Sequence, residues 1–415
     1  MSRRTRLCRP IHPNTVAIGV DVAKRSFVAR SLGSDGRSGK RCRVACDAAG
    51  FEELLAYCRR EVERYGGRGF LVALEPTGHY GEPLVAWLKA RGVEVHAVQA
   101  LFTARSKELF DGTWRKTDDK DALVIADLCR RGLSRPWRVL VGPFRDLRVL
   151  SRQREQLVKR RSRALNRIQR HVDVVFPELR ELFVKPLSRT SRWVLREVPT
   201  PAAVLEMGEE QLAERLYEVS RWQLGRERAR AMLEAAEASV GVSDGADAHR
   251  FALEQLLDEV DVLMAQLRGV ELRMAQALKQ VPYSKHLLSV PGLGVVLTAT
   301  LLGELGDLRE YRVAKQVLKM AGLDLVERSS GERQGHRQIS RRGRRYARQM
   351  LYMAALKLGQ GALRARRDRL VQRGKPATKA VVANMCALLR ILFALARDGV
   401  DFDASRHASV IEKVA

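Results

Sequence analysis

No run of about 18 uncharged apolar residues occurs in the chain, which excludes an ordinary membrane-spanning helix as its organising feature. A secretory leader is not expected either, because the basic start, MSRRTRLCRP, leads into no apolar signal region. Cysteine is sparse. Cys8, Cys42, Cys46, Cys58, Cys129 and Cys386 are scattered, several at apolar positions of expected helices, which suits reduced thiols in a cytoplasm. Cys42 and Cys46 lack the second Cys or His pair that a zinc site requires. Acidic residues are also short relative to basic ones: 48 Asp and Glu face 75 Lys and Arg, a net charge of +27. In a chain that is 46% hydrophobic and otherwise ordinary, such an excess points to a polyanionic partner, with nucleic acid the leading candidate and no membrane. A length of 415 residues is too great for one ordinary core and predicts two or three domains.

Against this basic background, Lys116-Thr117-Asp118-Asp119-Lys120-Asp121-Ala122 packs three carboxylates into four residues. Ala122, Leu123, Ile125, Ala126 and Leu128 recur at helical spacing behind it, so Asp118 and Asp121 share one face of the first turn while Asp119 points elsewhere. Two carboxylates side by side repel unless a positive charge lies between them. A divalent cation supplies one, and an acidic helix N-terminus favoured by the macrodipole is the structural alternative.

The N-terminal pattern provides companions for that pair. Residues 15–24, TVAIGVDVAK, read as a buried strand reaching Asp21 near its end, followed by strands at 26–31 and 41–46 around a Gly-Ser-Asp-Gly turn. Phe51, Leu54, Leu55, Cys58 and Val62 mark an amphipathic helix stopped by Gly66-Gly67, and GFLVALE at 69–75 is a second buried strand ending in Glu75. A short helix around Leu84, Trp87 and Leu88 and a strand at 93–98 complete a mixed sheet with alternating helices. A carboxylate after an apolar strand has no cheap solvation unless it caps a helix or binds a cation. Asp21, Glu75, Asp118 and Asp121 therefore converge in a ribonuclease-H-like α/β domain, and Mg²⁺ held there would serve phosphodiester chemistry.

From Phe144 the sequence becomes long, helical and basic. Leu147, Leu150, Leu157, Ala164, Ile168 and Val175 form an apolar seam, and arginines including Arg160, Arg161 and Arg163 coat the rest, with Arg154 and Arg161 intruding on the seam. That single-signed face suits a nucleic-acid backbone. Leu253, Leu256, Val260, Leu263, Leu267, Val270, Met274 and Ala277 step by three and four in a coiled-coil seam, which closes on the basic helix or on another subunit. Oligomerisation is the slightly preferred reading. LLSVPGLGVVLTATLLGELG, 287–306, reads as a helix-hairpin-helix-like segment whose Gly292 and Gly294 let backbone N–H groups approach a phosphate, or equally as a tight interhelical turn. Beyond it, Ser329-Ser330-Gly331 sits in a loop with Arg328, Arg333, Arg337, Arg341 and Arg342, where a serine is a turn residue or a nucleophile at phosphorus. Helices near 345–358 and 377–397 close the C-terminal region.

GVDVAK, LEPTGHYGEPLVAWL, WRKTDDKDALVIADL, VPTPAAV, VPGLGVVLTATLLGELGD, MAGLDLVERSSG, ISRRGRRYARQMLYMAAL and ATKAVVANMCALLRIL together resemble the DEDD transposases of the insertion-sequence-110 family, in order, from about residue 15 to 400. The resemblance implies a RuvC-like domain at 15–142 with Asp21, Glu75, Asp118 and Asp121 as catalytic Mg²⁺ ligands. It also implies a helical, coiled-coil region at 143–285 and a mainly α-helical C-terminal transposase domain at 286–400 bearing the catalytic Ser330. It further implies a cytoplasmic, nucleoid-associated recombinase of a mobile element that cuts and joins donor and target DNA, is guided by a structured RNA, and works as a dimer or tetramer with a composite site. Gln99-Ala100 and Arg344 depart from the family pattern, at positions that bear on nucleic-acid contacts and not on the catalytic set. Two other readings compete: a RuvC-like, structure-selective DNA endonuclease using the acids alone, and a nucleic-acid-binding protein with a dead nuclease fold.

Overall fold

The computed structural model describes residues 11–12, 14–76, 78–111, 117–183, 187–327, 338–357 and 362–406, in two compact units, Met1–Val139 and Leu140–Ala415. In the first, β1 (Thr15–Val22), β2 (Ser26–Leu32) and β3 (Cys42–Ala45) form an antiparallel meander. β4 (Gly69–Leu74) joins β1 in parallel, β5 (Val95–Val98) joins β4 in parallel, and β6 (Ser134–Pro136) ends the sheet antiparallel to β5. The strand order is β3-β2-β1-β4-β5-β6, so the apolar β1 lies inside the sheet. Helices α1 (Ala48–Arg64), α2 (Glu82–Ala90), α3 (Ala100–Asp111) and α4 (Asp118–Arg130) complete a ribonuclease-H-like, RuvC-like α/β domain.

Strand alternation sorts β1 into two faces. Val16, Ile18 and Val20 share a core with Phe51, Leu54 and Cys58 of α1 and Leu84 and Leu88 of α2. Ala17 faces the other way, against Val124, Ile125 and Ala126 of α4, together with Leu71 and Ala73 of β4. Gly19 lies on this second face, and α4 rests on it directly: a Cβ there would fall 2.0 Å from the Ala122 carbonyl oxygen and 2.4 Å from the Ala126 nitrogen. The strands expected from sequence are present, slightly shorter except β2, which runs one residue further. β6 and α3 were not anticipated, because one has three residues and the other a narrow apolar stripe in which Leu101 is exposed.

The second unit is built on two long helices, α5 (Pro143–Val175) and α10 (Ala246–Lys279). Arg154 meets Glu271 at 2.7 Å and His171 meets His249 at 3.0 Å, so the helices run antiparallel. Between them lie α6 (Leu179–Leu182), α7 (Arg189–Glu197), α8 (Pro201–Val219) and α9 (Arg226–Glu237). These pack with Ile168, Val172 and Val175 of α5 and Leu253, Leu256 and Val260 of α10. The middle of the pair is a small core of Leu157, Leu263 and Leu267. At its far end Phe144, Leu147, Met274 and Ala277 enter the core of the C-terminal helices.

This arrangement corrects the preference for oligomerisation through the α10 seam. Leu253, Leu256, Val260, Leu263, Leu267, Met274 and Ala277 are all buried within the chain. α5 presents an apolar ridge of the same period, and Arg154, which seemed to spoil that ridge, is neutralised by Glu271.

The C-terminal part comprises α11 (Ser284–Leu288), α12 (Val295–Leu305), α13 (Ala314–Ala321), α14 (Arg345–Lys357), α15 (Ala362–Gln372) and α16 (Ala377–Asp398). The Glu304 side chain of α12 is fully enclosed, and the arginines of α5 neutralise it, Arg152 Nε at 2.7 Å and Arg148 Nη2 at 3.6 Å. These contacts fix which faces of α5 and α12 meet, since removing both arginines would strand a buried carboxylate at a cost of about 3–5 kcal/mol. α16 is long and apolar enough to cross a bilayer, yet 67% of its most apolar window is buried, as expected of a core helix. The two-residue strands β7 (Leu325–Val326) and β8 (Gln338–Ile339) pair antiparallel and bracket residues 328–337.

Candidate active site

The acids gather on the α4 face of the first unit. Asp21 continues the parity of Ala17 and Gly19, and Glu75 continues that of Leu71 and Ala73. In the β1–β4 register Val20 stands beside Leu74, so Asp21 and Glu75 follow on adjacent parallel strands at the same level. Thr117 caps α4, its hydroxyl accepting from the Lys120 N–H at 3.2 Å, and this fixes Asp118 and Asp121 in the first turn. Asp121 is buried and Asp118 exposed. Asp119 leaves the cluster: its Oδ2 accepts from Arg30 Nη1 at 2.6 Å, and Arg30 shares the α4 face of β2 with Val28.

Asp21 registers the company of the other acids. Its carboxyl is pushed up to about 6, first by burial, then by the negative charges of Asp121 and Asp118, with Glu75 adding to the effect and the positive charge of Lys107 opposing it. Lys107, on α3, is the residue that pattern reading missed. Its Nζ donates to Asp121 Oδ2 at 2.6 Å, while Asp121 Oδ1 is buried without a hydrogen-bond partner. Among the described residues no three His, Cys, Asp or Glu side chains are drawn tightly around one point. The Lys107 ammonium group occupies one side of Asp121. The donor set nevertheless fits a hard divalent cation in chemistry: it is all carboxylate, it carries an orphaned buried oxygen, and Lys107 relieves its repulsion only in part.

In the second unit Ser330 lies outside the described residues, with Ser329, Arg328, Arg333, His336 and Arg337. Its flanks are described. The Ser340 hydroxyl donates to the Asp324 carboxylate, tying the strand ends together, and the Arg342 N–H donates to Ser340 Oγ at 3.3 Å. Arg341 and Arg342 are exposed, Arg341 with φ of 55° in the left-handed region. Gly343 lets this turn press on the end of α13, where a Cβ would fall 2.4 Å from the Met320 carbonyl oxygen. Arg348 donates to the Ala321 carbonyl at 3.0 Å, and burial followed by the charges of Arg341 and Arg345 holds it below the usual arginine range. Positive charge is therefore concentrated beside the serine-bearing segment.

The remaining nucleic-acid candidates are dispersed. Gly292, with φ of 82°, and Gly294 are exposed ahead of α12, whose start carries no side-chain cap. Arg160 and Arg163 are exposed on α5, whereas Arg161 is half-buried and its Nε has no partner.

Comparison with known proteins finds relatives along most of the chain. A DEDD transposase model of the IS110 type matches residues 18–177, and a model of the transposase IS116/IS110/IS902 family matches residues 284–369. An uncharacterized 42 kDa protein of insertion element IS900 from Mycobacterium paratuberculosis is 28% identical, over 92% of this chain and 95% of its own. The IS116 44.8 kDa protein of Streptomyces clavuligerus is 28% identical over 81% and 83%. A mini-circle putative transposase for IS117 from Streptomyces coelicolor is 27% identical over 77% and 78%. Among solved structures, T. thermophilus RuvC in complex with a Holliday junction substrate is similar over 30% of this chain and 99% of its own, at 15% identity and a TM-score of 0.23. The two matches, to models of one transposase family and together spanning more than half of the chain, give the assignment: the chain belongs to the IS110 family of transposases.

Proposed function

We propose that this transposase cuts and rejoins donor and target DNA using the acid cluster of the first unit and Ser330 of the second. The observation that carries the reading is the placement of Asp21 and Glu75 at one level on adjacent parallel strands, beside the capped α4 turn that bears Asp118 and Asp121, where burial and the neighbouring acids push the Asp21 carboxyl up. Asp21, Glu75, Asp118 and Asp121 would hold Mg²⁺, which supplies the positive charge that activates the attacking oxygen and steadies the leaving one. The Ser330 oxygen bonds to phosphorus as the bond to a deoxyribose oxygen breaks, and that oxygen takes the proton. Arg341 and Arg342, with Arg328, Arg333 and Arg337 close by in the sequence, balance the phosphate charge. The covalent link conserves the phosphodiester, so rejoining needs no ATP. A structured RNA of the element directs the choice of DNA, and a dimer or tetramer assembles the site in the cytoplasm, at the nucleoid; the family resemblance and the excess of positive charge support these parts.

The decisive experiment is trapping on labelled DNA. Wild type and Ser329→Ala are expected to form a denaturation-resistant protein–DNA adduct and Ser330→Ala to form none. An adduct from Ser330→Ala shows the wrong serine was chosen, and no adduct from any protein puts the hydrolytic endonuclease in its place. Backbone contacts predict a second result: affinity for DNA falls steeply as salt rises. Arg160→Ala with Arg163→Ala should flatten the plot of log affinity against log salt by about two, near 0.9 per lost phosphate contact. An unchanged slope would remove the exposed face of α5 from the binding surface.

A further inference from the structure

We propose that Lys107 is a resident counter-ion of the acid cluster, which a divalent cation must displace from Asp121, making it a positioning residue that sets metal affinity. The inference rests on the four-acid metal site proposed above and adds a residue that the site's own pattern does not contain. Asp121 is the most enclosed of the four acids, with its side chain 8% exposed, and a carboxylate so placed needs a partner. Lys107 Nζ supplies it at Oδ2, 2.6 Å away, while Oδ1 stays buried and unsatisfied. Among the described residues Lys107 is the cation paired with Asp121, while the nearby guanidinium of Arg30 is engaged by Asp119. The neutralisation is partial: it holds the apo site together, and it leaves negative charge that a doubly charged ion would satisfy better.

The chemistry of lysine suits an exchangeable role. Its side chain here is 26% exposed, and an ammonium on a flexible stem can withdraw to water, whereas a bidentate guanidinium would be held in place. An ion arriving at Asp121 meets a like charge a few ångströms away, so metal entry and lysine withdrawal are coupled. Two consequences follow for the metal-free and metal-bound protein. Removing the ammonium strands Asp121 in the absence of metal, and it relieves the competition when metal is present.

The test uses full-length Lys107→Met, Lys107→Arg and the double variant Lys107→Met with Asp121→Asn. Thermal midpoints are measured in EDTA, and Mg²⁺ binding by isothermal titration calorimetry. Lys107→Met is expected to melt roughly 5–10 °C below wild type in EDTA. It should also bind Mg²⁺ on the order of tenfold more tightly. Lys107→Arg should melt with wild type in EDTA. The double variant, which has neither charge, should recover most of the lost midpoint, and it serves if Lys107→Met is insoluble. A Lys107→Met protein that melts with wild type in EDTA, or binds Mg²⁺ no more tightly, overturns the inference, as does a double variant no more stable than the single one. Failure of wild type itself to bind Mg²⁺ while Asp121 still depends on Lys107 in EDTA overturns instead the metal site of the proposed function.

Discussion

Replacing Gly19 by alanine is expected to unseat α4 and to abolish DNA cleavage, although the residue carries no chemistry. The added methyl would lie 2.0 Å from the Ala122 carbonyl oxygen and 2.4 Å from the Ala126 nitrogen, and both obstacles are backbone. A side chain can swing away, but a helical backbone moves only as a whole. β1 cannot retreat either, being paired to β2 on one side and β4 on the other. The methyl therefore costs about 3 kcal/mol or more, beyond ordinary overpacking, and Gly19→Val more still. A helix that lifts to make room carries Asp118 and Asp121 away from Asp21, so activity is lost before folding is. Urea unfolding with cleavage measured in parallel checks this. A Gly19→Ala protein with wild-type midpoint and activity would mean that α4 does not sit on β1 as described.

Asp21→Asn, Glu75→Gln, Asp118→Asn and Asp121→Asn should each lower Mg²⁺-dependent strand cleavage on the order of a thousandfold or more, leaving DNA binding largely intact. Asp119→Asn is the internal control. It keeps an oxygen for the part-buried Arg30 guanidinium and leaves the other acids untouched, so cleavage should stay within about tenfold of wild type. Asp21→Asn has a further signature. Because burial and the charges of Asp121 and Asp118 oppose an ionised Asp21, the neutral amide should unfold in EDTA no earlier than wild type. Loss of activity without loss of stability separates a functional acid from a structural one. Equal damage from Asp119→Asn and Asp118→Asn would show that the register of the α4 acids is wrong.

The sheet and its carboxylates were legible because each signal is local. An apolar run that stops at Asp21 or Glu75 announces both a buried strand and an acid at its end, and spacing along α4 separates Asp118 and Asp121 from Asp119. Lys107 left no such trace: it stands alone on a helix with a weak apolar stripe, and only the packing of α3 near α4 brings it to Asp121. Arg30 was hidden likewise, its partner lying 89 residues away. The α10 seam shows the limit of periodicity, which reveals that a stripe will be buried but not what buries it. α5 carries a complementary stripe spoiled by Arg154, and the compensating Glu271 lies outside the seam pattern. The role of Ser330 rests on sequence and chemistry, since its segment lies outside the described residues.

The antiparallel pairing of α5 and α10 also constrains how these proteins can change length. Three separate clusters of apolar residues lie along the pair, so the two helices are keyed to each other like a zip. Inserting residues into one alone would misalign every rung beyond the insertion. Matched insertions or deletions of seven residues in both keep the rungs in phase and move the α6–α9 cluster by about 10 Å relative to the C-terminal helices. Over evolution the arm should therefore lengthen or shorten in paired steps, giving a family a graded set of reaches from one unchanged base.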